Sequence, residues 1–198
     1  ILRRLVGSEM CIRDRYYTEF DSDKNINNLL EQIKSRLHPM DVIRTIVSYI
    51  GESEKKSDLE ATTQISAAVA YVIASYNDSK TSELNDEYTV ASSMLSDEAS
   101  KDQLQALDDI LILYAEHGFN ASTFATRVTG STRSDLTSSI VSGIGTLKGE
   151  LHGGANERAV ELINSFQDVE DATVGVMKML HEKKKIMGFG HGVYKIQD

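Results

Sequence analysis

The chain has 198 residues, a formal net charge of −9, 40% hydrophobic residues and 26% charged residues. This composition is typical of a globular protein and excludes collagen-like and disordered chains. The acidic balance argues against a nucleic-acid partner, because phosphate groups are bound by basic surfaces. The single cysteine, Cys11, excludes an internal disulfide and a multi-cysteine zinc site. No apolar run approaches the roughly 20 residues of a membrane-spanning helix, so we expect no membrane partner.

The first fifteen residues differ from the rest of the chain. Their apolar positions follow no helical or strand period, and they lack the long apolar stretch of a signal peptide. We interpret residues 1–15 as a non-native or artefactual segment; the alternative is a genuine N-terminal segment. Because the chain starts at Ile1 and stops at Asp198 without a closing element, we expect a fragment of a longer protein.

From Asp23 onward, apolar residues recur with the 3.6-residue period of amphipathic helices. The first predicted helix follows Asp23 and ends at His38, because Pro39 cannot continue it. Pro39 opens a second helix, and Gly51 ends it. The residues predicted to face inward from these two helices are Ile26, Leu29, Leu30, Ile33, Leu37, Val42, Ile43, Ile46, Val47 and Ile50.

Four further helices are predicted between residues 60 and 150. The inward positions of the third and fourth are Ile65, Ala68, Val69, Val72, Ile73 and Tyr76, then Leu104, Leu107, Ile110, Leu111 and Tyr114. Asn120 or Ser122 caps the fifth, and Ser134 caps the sixth, which contains Leu136, Ile140, Val141, Ile144 and Leu147. Gly143 and Gly145 inside the sixth helix predict close backbone packing, because an interior glycine costs about 1 kcal/mol relative to alanine.

The sequence Leu151-His152-Gly153-Gly154 interrupts the helical pattern. Helical spacing then resumes at Ala159, Val160, Leu162, Ile163 and Phe166, and Asp168 is predicted to cap a last helix that runs to about Lys185. Residues 186–193 are the only candidate for a short extended segment. The fold class is therefore all-α.

Three of the five histidines lie in glycine-containing helix breaks: His117 in AEHGFN, His152 in LHGGANE and His191 in GFGHGVYK. Glycine lets a backbone approach a ligand closely. A neutral histidine at a helix N-terminus, as predicted for His152, can polarise a carbonyl or stabilise an enol. Structural roles stay open: His117 could cap the preceding helix, and His152 could bond to local backbone. His38 and a mid-helix His181 are interpreted as structural, and no histidine spacing is typical of a metal site.

The segments ILYAEHGFNASTF, LHGGANE and GFGHGVYK, in this order, resemble the citrate synthase family. The first of them, together with HPMDVIRT, resembles most the 2-methylcitrate synthase branch. The resemblance covers residues 16–198 and implies an all-α protein with a large and a small helical domain. We expect 16–152 to belong to the large domain and 153–198 to the small one. It also implies a cytoplasmic homodimer or higher oligomer that uses no cofactor, since acyl-CoA is a substrate.

The resemblance implies condensation of oxaloacetate with acetyl-CoA or propionyl-CoA, which gives citrate or 2-methylcitrate. His152 would bind the thioester carbonyl and stabilise the enol, and His191 would hydrogen-bond the oxaloacetate carbonyl. His117 would help to hold oxaloacetate. A glycine-rich loop would lie against CoA through its backbone; its residues are Gly188, Phe189, Gly190 and Gly192.

The chain also departs from the family pattern. The general base of the family is an aspartate farther along the chain than Asp198, as are the arginines that bind the oxaloacetate carboxylates. Gly118 and Gly192 stand where relatives often carry Glu, and Arg or Pro, respectively. We therefore expect the 198-residue chain to be inactive by itself and the longer protein to be the enzyme. The alternatives are a non-catalytic helical homologue that binds ligand or assembles without turnover, and a histidine metal protein.

Overall fold

A computed structural model describes residues 19–20, 22–51, 57–77, 94–96, 98–115, 118 and 120–189. Within these ranges the long regular elements are all helices and none is a strand, which confirms the all-α prediction. The helices are α1 (Lys24–Ile33), α2 (Pro39–Ile50), α3 (Asp58–Tyr76), α4 (Lys101–Tyr114), α5 (Ala121–Ser131), α6 (Leu136–Leu147), α7 (Gly154–Asn164) and α8 (Val169–His181).

The chain forms two compact units, Ile1–Gly145 and Thr146–Asp198. The first contains α1 to α5 and most of α6, and the second contains α7 and α8. The assignment of 16–152 and 153–198 to the two domains of the family stays a prediction, and residues 1–15 lie outside the described residues. In the part of the chain that the structure describes, no helix has the length and apolarity that a bilayer crossing requires.

Helix α1 begins as predicted and ends earlier than predicted. The Asp23 carboxylate accepts the backbone N–H groups of Asn25 and Ile26 at 2.8 and 3.2 Å, which caps the helix. The helix ends at Ile33. In the turn that follows, the amide of Leu37 donates to the carbonyl of Ile33. Leu37 is therefore outside the helix and 42% exposed, so its predicted inward position is wrong.

The predicted boundaries of α2 are confirmed. Nδ1 of His38 accepts the amide of Met40 at 3.2 Å, Pro39 is the first helical residue, and Gly51 ends the helix with φ +57°. His38 thus has the structural role that its position before a proline predicts. The buried residues of α2 are Val42, Ile43, Ile46 and Val47.

Helix α3 is buried on more sides than the single face that its period predicted. Ser57 and Glu60 form a reciprocal capping box at its start. Its buried residues are Ala61, Gln64, Ile65, Ala67, Ala68, Ala70, Tyr71, Val72 and Ala74. Small alanine side chains on these faces let neighbouring elements pack closely, whereas Tyr76 at the end of the helix is 38% exposed. The core of the first unit lies where α1 and α2 pack against α3.

The residues that cap α5 and α6 settle one alternative that the sequence left open and correct one prediction. Asn120 caps α5 by accepting the amide of Thr123 at 2.8 Å, so Ser122 is not the cap. Asp135, not the predicted Ser134, precedes α6 and accepts the amide of Ser138 at 2.7 Å. The Asp135 carboxylate also accepts the hydroxyl of Ser138 at 2.6 Å, which gives it a second hydrogen bond at the start of the helix.

The predicted close packing at Gly143 is confirmed. A Cβ at Gly143 would overlap Oγ1 of Thr126 on α5 and would lie 3.4 Å from the carbonyl oxygen of Ser122, so α5 and α6 approach each other closely at this residue. At Gly145 the nearest atom to such a Cβ is Nη1 of Arg44 at 3.6 Å, an ordinary contact. The close approach therefore concerns Gly143 alone.

In the second unit, Asp168 caps α8 as predicted by accepting the amide of Asp171 at 2.8 Å. The helix ends at His181 rather than near Lys185, because Lys183 has a φ of +54°, which no α-helix contains. His181 is therefore at the end of a helix and not mid-helix. Residues 187–189 form a turn and a bend rather than an extended segment, and 190–193 lie outside the described residues.

Candidate functional site

His152 lies in the six-residue connector 148–153 between α6 and α7. Its amide donates to the carbonyl of Gly149 at 2.9 Å, and its carbonyl accepts the amide of Ala155 at 3.1 Å. Both polar groups of its backbone are thus held by local hydrogen bonds, and the residue is half-buried. These bonds fix the direction in which the His152 side chain leaves the backbone.

Gly153 is required by space rather than by conformation. Its φ of −61° and ψ of −29° are open to any residue. Its amide donates to the carbonyl of Leu147 at 2.9 Å, and a Cβ at this position would overlap that carbonyl oxygen and lie 3.1 Å from Cδ1 of the same leucine. The connector can fold back on the end of α6 only because residue 153 has no side chain.

Gly154 and Gly149 complete this arrangement. The amide of Gly154 donates to the carbonyl of Gly149 at 3.1 Å, so this carbonyl accepts two N–H groups, the other from His152. A Cβ at Gly154 would lie 3.0 Å from the same oxygen. The sequence analysis missed Gly149; the available signal was a third glycine within the six residues 149–154.

The N-terminus of α7 follows His152 directly, which confirms the predicted helix start. Gly153 is the N-cap and offers no side-chain cap. The first amides of a helix carry a partial positive charge that favours a developing negative charge nearby. The amides of Gly154 and Ala155 already donate to the carbonyls of Gly149 and His152, so the imidazole of His152 is the group suited to donate to an oxyanion on a ligand here.

An ion pair joins the connector to α7. Nη2 of Arg158 lies 3.3 Å from Oε1 of Glu150, and Nε of Arg158 lies 3.8 Å from Oε2 of Glu161. All three side chains are more than half exposed. Exposed pairs of this kind contribute about 0–1 kcal/mol, so the backbone bonds and the glycines hold the connector rather than its charges.

Gly188, in the predicted CoA loop, lies against the same helix that His152 precedes. Gly188 has a φ of +89°, which favours glycine. A Cβ on Gly188 would lie 3.3 Å from Cβ of Ala159 on α7. The side chain of Phe189 is 81% exposed. The structure thus brings the start of the predicted CoA loop and His152 to one helix of the second unit.

The remaining predicted site residues, His117, Gly190, His191 and Gly192, lie outside the described residues, so their roles stay predictions. Among the residues that the structure does describe, no three His, Cys, Asp or Glu side chains are grouped so as to hold a metal ion.

A cavity of about 340 Å³ lies at the start of α6, in the first unit. It contains none of the predicted site residues. Hydrogen bonds from the side chain and backbone of Ser138 hold the pKa of the Asp135 carboxyl below its usual value. The lining residues are Ser48, Gly51, Asp135, Thr137, Ser138 and Val141.

Comparison with known proteins decides the family. Residues 12–198 match the family described as citrate synthase, C-terminal domain. The chain belongs to the citrate synthase family. This confirms the resemblance of the three histidine-containing segments. The match begins inside 1–15, and the interpretation of that segment as non-native stays a prediction.

Individual relatives carry both names of the family. A 2-methylcitrate synthase of Shewanella oneidensis is 39% identical over 186 residues, which cover 87% of this chain and 50% of that protein. A citrate synthase of Mycolicibacterium smegmatis is 34% identical over 191 residues, which cover 89% of this chain and 51% of that protein. The chain thus spans about half the length of the curated relatives it matches.

A solved citrate synthase from Thermoplasma acidophilum shares the fold. It aligns with a TM-score of 0.75 and 25% identity over 96% of this chain and 54% of that chain. That structure is a ternary complex with carboxymethyl coenzyme A and oxaloacetate.

Proposed function

We propose that the protein to which this chain belongs condenses oxaloacetate with propionyl-CoA or acetyl-CoA and releases CoA with 2-methylcitrate or citrate. The observation that carries the proposal is the family match over residues 12–198, which includes the segments of His117, His152 and His191. The proposal concerns the longer protein, because the resemblance assigns the general base to an aspartate beyond Asp198. A cytoplasmic location stays a prediction.

His152 is the proposed donor to the thioester. Removal of a proton next to a thioester carbonyl places negative charge on the carbonyl oxygen, and a fixed hydrogen-bond donor stabilises that charge. The side chain of His152 leaves a connector that backbone hydrogen bonds hold at Gly149, His152 and Gly153, and it lies directly before the first residues of α7. A donor held in place before reaction needs no rearrangement when the enol forms.

The carbonyl of oxaloacetate needs a hydrogen-bond donor of its own, and we assign this role to His191. We assign to His117 a role in holding oxaloacetate. The enol carbon then attacks the oxaloacetate carbonyl carbon, and hydrolysis of the condensed thioester releases CoA. The exposed Phe189 and the turn at Gly188 suit a loop that meets CoA through its backbone. The bound carboxymethyl coenzyme A in the Thermoplasma relative supports a CoA substrate.

A second copy of the chain is the proposed partner of α4 and α5. Neither helix has a buried residue, although both carry large apolar side chains. Several large apolar side chains exposed on one helix are typical of a protein interface. The exposed apolar residues are Ile110, Ile112, Leu113, Tyr114, Phe124 and Val128.

The decisive experiment is oxaloacetate-dependent CoA release by the longest reading frame that contains this sequence. Propionyl-CoA and acetyl-CoA are compared by kcat/KM, since one methyl group contributes only about 1–3 kcal/mol to discrimination. A higher value for propionyl-CoA supports the 2-methylcitrate branch, and a higher value for acetyl-CoA supports citrate synthesis. We expect His152→Gln to abolish release and His181→Gln, a histidine replacement elsewhere in the same unit, to preserve it. No release from folded protein would contradict the proposal and favour the non-catalytic homologue.

A further inference from the structure

The position of His152 depends on an unusually close contact of the residue that follows it. The amide of Gly153 is bonded to the carbonyl of Leu147 at 2.9 Å, and a Cβ on residue 153 would overlap that oxygen. The obstructing atom belongs to the backbone at the end of α6, so no side-chain rotation relieves the overlap. Any residue larger than glycine must move the 152–153 peptide away from Leu147.

That displacement reaches His152 directly. The carbonyl of His152 belongs to the peptide that would move, and it is also the acceptor for the amide of Ala155 at 3.1 Å. The N–H of His152 is held separately, by Gly149 at 2.9 Å. If the carbonyl side of His152 moves while its N–H stays bonded to Gly149, the Cα–Cβ bond of His152 rotates. The imidazole rotates with that bond.

We propose that Gly153 is a positioning residue for the reaction: by having no side chain it lets the connector close on Leu147 and sets the imidazole of His152 for the thioester carbonyl. This inference rests on the proposed function. It accounts for a glycine at a φ and ψ that do not require one.

The kinetic test is Gly153→Ala in the longest reading frame. We expect kcat to fall about 10- to 100-fold, because a misplacement of about 1 Å can lower a rate about 100-fold. KM for oxaloacetate should stay unchanged, since its proposed ligands are His191 and His117. A rise in KM for oxaloacetate with kcat preserved would overturn the proposal.

Gly175→Ala is the matched control. A Cβ on Gly175 would overlap Cε1 of Phe166, so it introduces a similar overlap in the same unit. Here the obstructing atom is in a ring that can turn aside, and Gly175 is on α8, away from the connector. We expect this variant to lose stability and keep its kcat. Equal losses of kcat in both variants, in proportion to their stability, would show that Gly153 is merely structural and would overturn the proposal.

A second readout does not depend on turnover. In the labelled protein made from the longest reading frame, the imidazole Cε1–Hε1 correlation of His152 can be assigned by its absence in His152→Gln. We expect Gly153→Ala to shift this correlation and Gly175→Ala to leave it in place. If wild-type protein releases no CoA, the proposed function fails, while this comparison still decides whether Gly153 sets the position of His152. An unshifted correlation in folded Gly153→Ala overturns the inference.

Gly154→Ala keeps the test decisive if Gly153→Ala fails to fold. Its Cβ would lie 3.0 Å from the carbonyl oxygen of Gly149, a milder conflict within the same connector. We expect a smaller loss of kcat and a smaller shift of the His152 correlation in the same direction. The absence of both effects would contradict the proposal.

Discussion

Helices α2 and α4 carry similar apolar patterns but have different surroundings. Val42 in α2 is fully buried and packs in the core with α3, whereas Leu113 in α4 is 74% exposed. Both helices are regular, and α4 has a complete capping box at Ser100 and Gln103. An apolar face therefore predicts a helix, and it does not predict which surface covers that face. The burial of a leucine or isoleucine contributes about 1.5–3 kcal/mol, so α4 and α5 leave a large stabilisation for another surface to provide.

The largest loss of unfolding free energy is expected in α2, the buried helix of the pair. Ile46→Ala in α2 removes one of the largest fully buried side chains and should lower the free energy of unfolding by about 2–5 kcal/mol. Ile112→Ala in α4 is the control, because its side chain is mostly exposed and little surface returns to water. Urea denaturation of both variants measures the difference. In chain dilute enough to be monomeric, equal losses would mean that other parts of the same chain cover α4, and the comparison would fail.

The contact between α5 and α6 should come next. Gly143→Ala introduces a Cβ that overlaps Oγ1 of Thr126, and such overpacking costs about 1–3 kcal/mol. The double variant with Thr126→Ala should recover part of the loss, since the carbonyl oxygen of Ser122 would still lie 3.4 Å from the new Cβ. A double-mutant cycle by urea denaturation measures this coupling. Additive losses would contradict a direct contact.

The exposed face of α4 provides a smaller effect of another kind. Leu113→Glu places a charge on the proposed interface and should weaken self-association by at least about tenfold, which corresponds to about 1.4 kcal/mol. The stability of the isolated chain should not change, because Leu113 is largely exposed. Sedimentation equilibrium measures the association, with Leu59→Glu, an exposed leucine on α3, as the control. An unchanged dimer would place the interface elsewhere.

The smallest effect concerns the start of α6. Asp135→Ala removes the cap and should cost about 1 kcal/mol, while Ser134→Ala should cost almost nothing. Since the pKa of Asp135 is lowered by folding, its contribution is present above the unfolded-state value of about 3.9 and is lost as the pH falls through the lower folded-state value. Urea denaturation at pH 7 and at pH 3 tests this. A loss that stays equal at both values would contradict the carboxylate cap.

At the candidate site, the sequence pointed to His152 and to the start of α7, since glycines and a histidine between two periodic segments are a local pattern. The family resemblance supplied the chemistry. The contact of Gly153 with Leu147 could not be predicted, because it joins residues whose distance depends on how the connector folds back. The two hydrogen bonds that the carbonyl of Gly149 accepts could not be predicted either, because they too depend on how the connector folds back.

The sequence by itself determined the helical class, the helix start near Asp23, the predicted cap at Asp168 and the breaks at Pro39 and Gly51, because these depend on neighbouring residues along the chain. Only the tertiary structure decided that α3 is buried on several sides while α4 and α5 are left uncovered. It also decided that a Cβ at residue 143 or 153 would overlap a neighbouring atom. The physical reason is that burial and close approach are properties of two surfaces that meet, and periodicity describes only one of them.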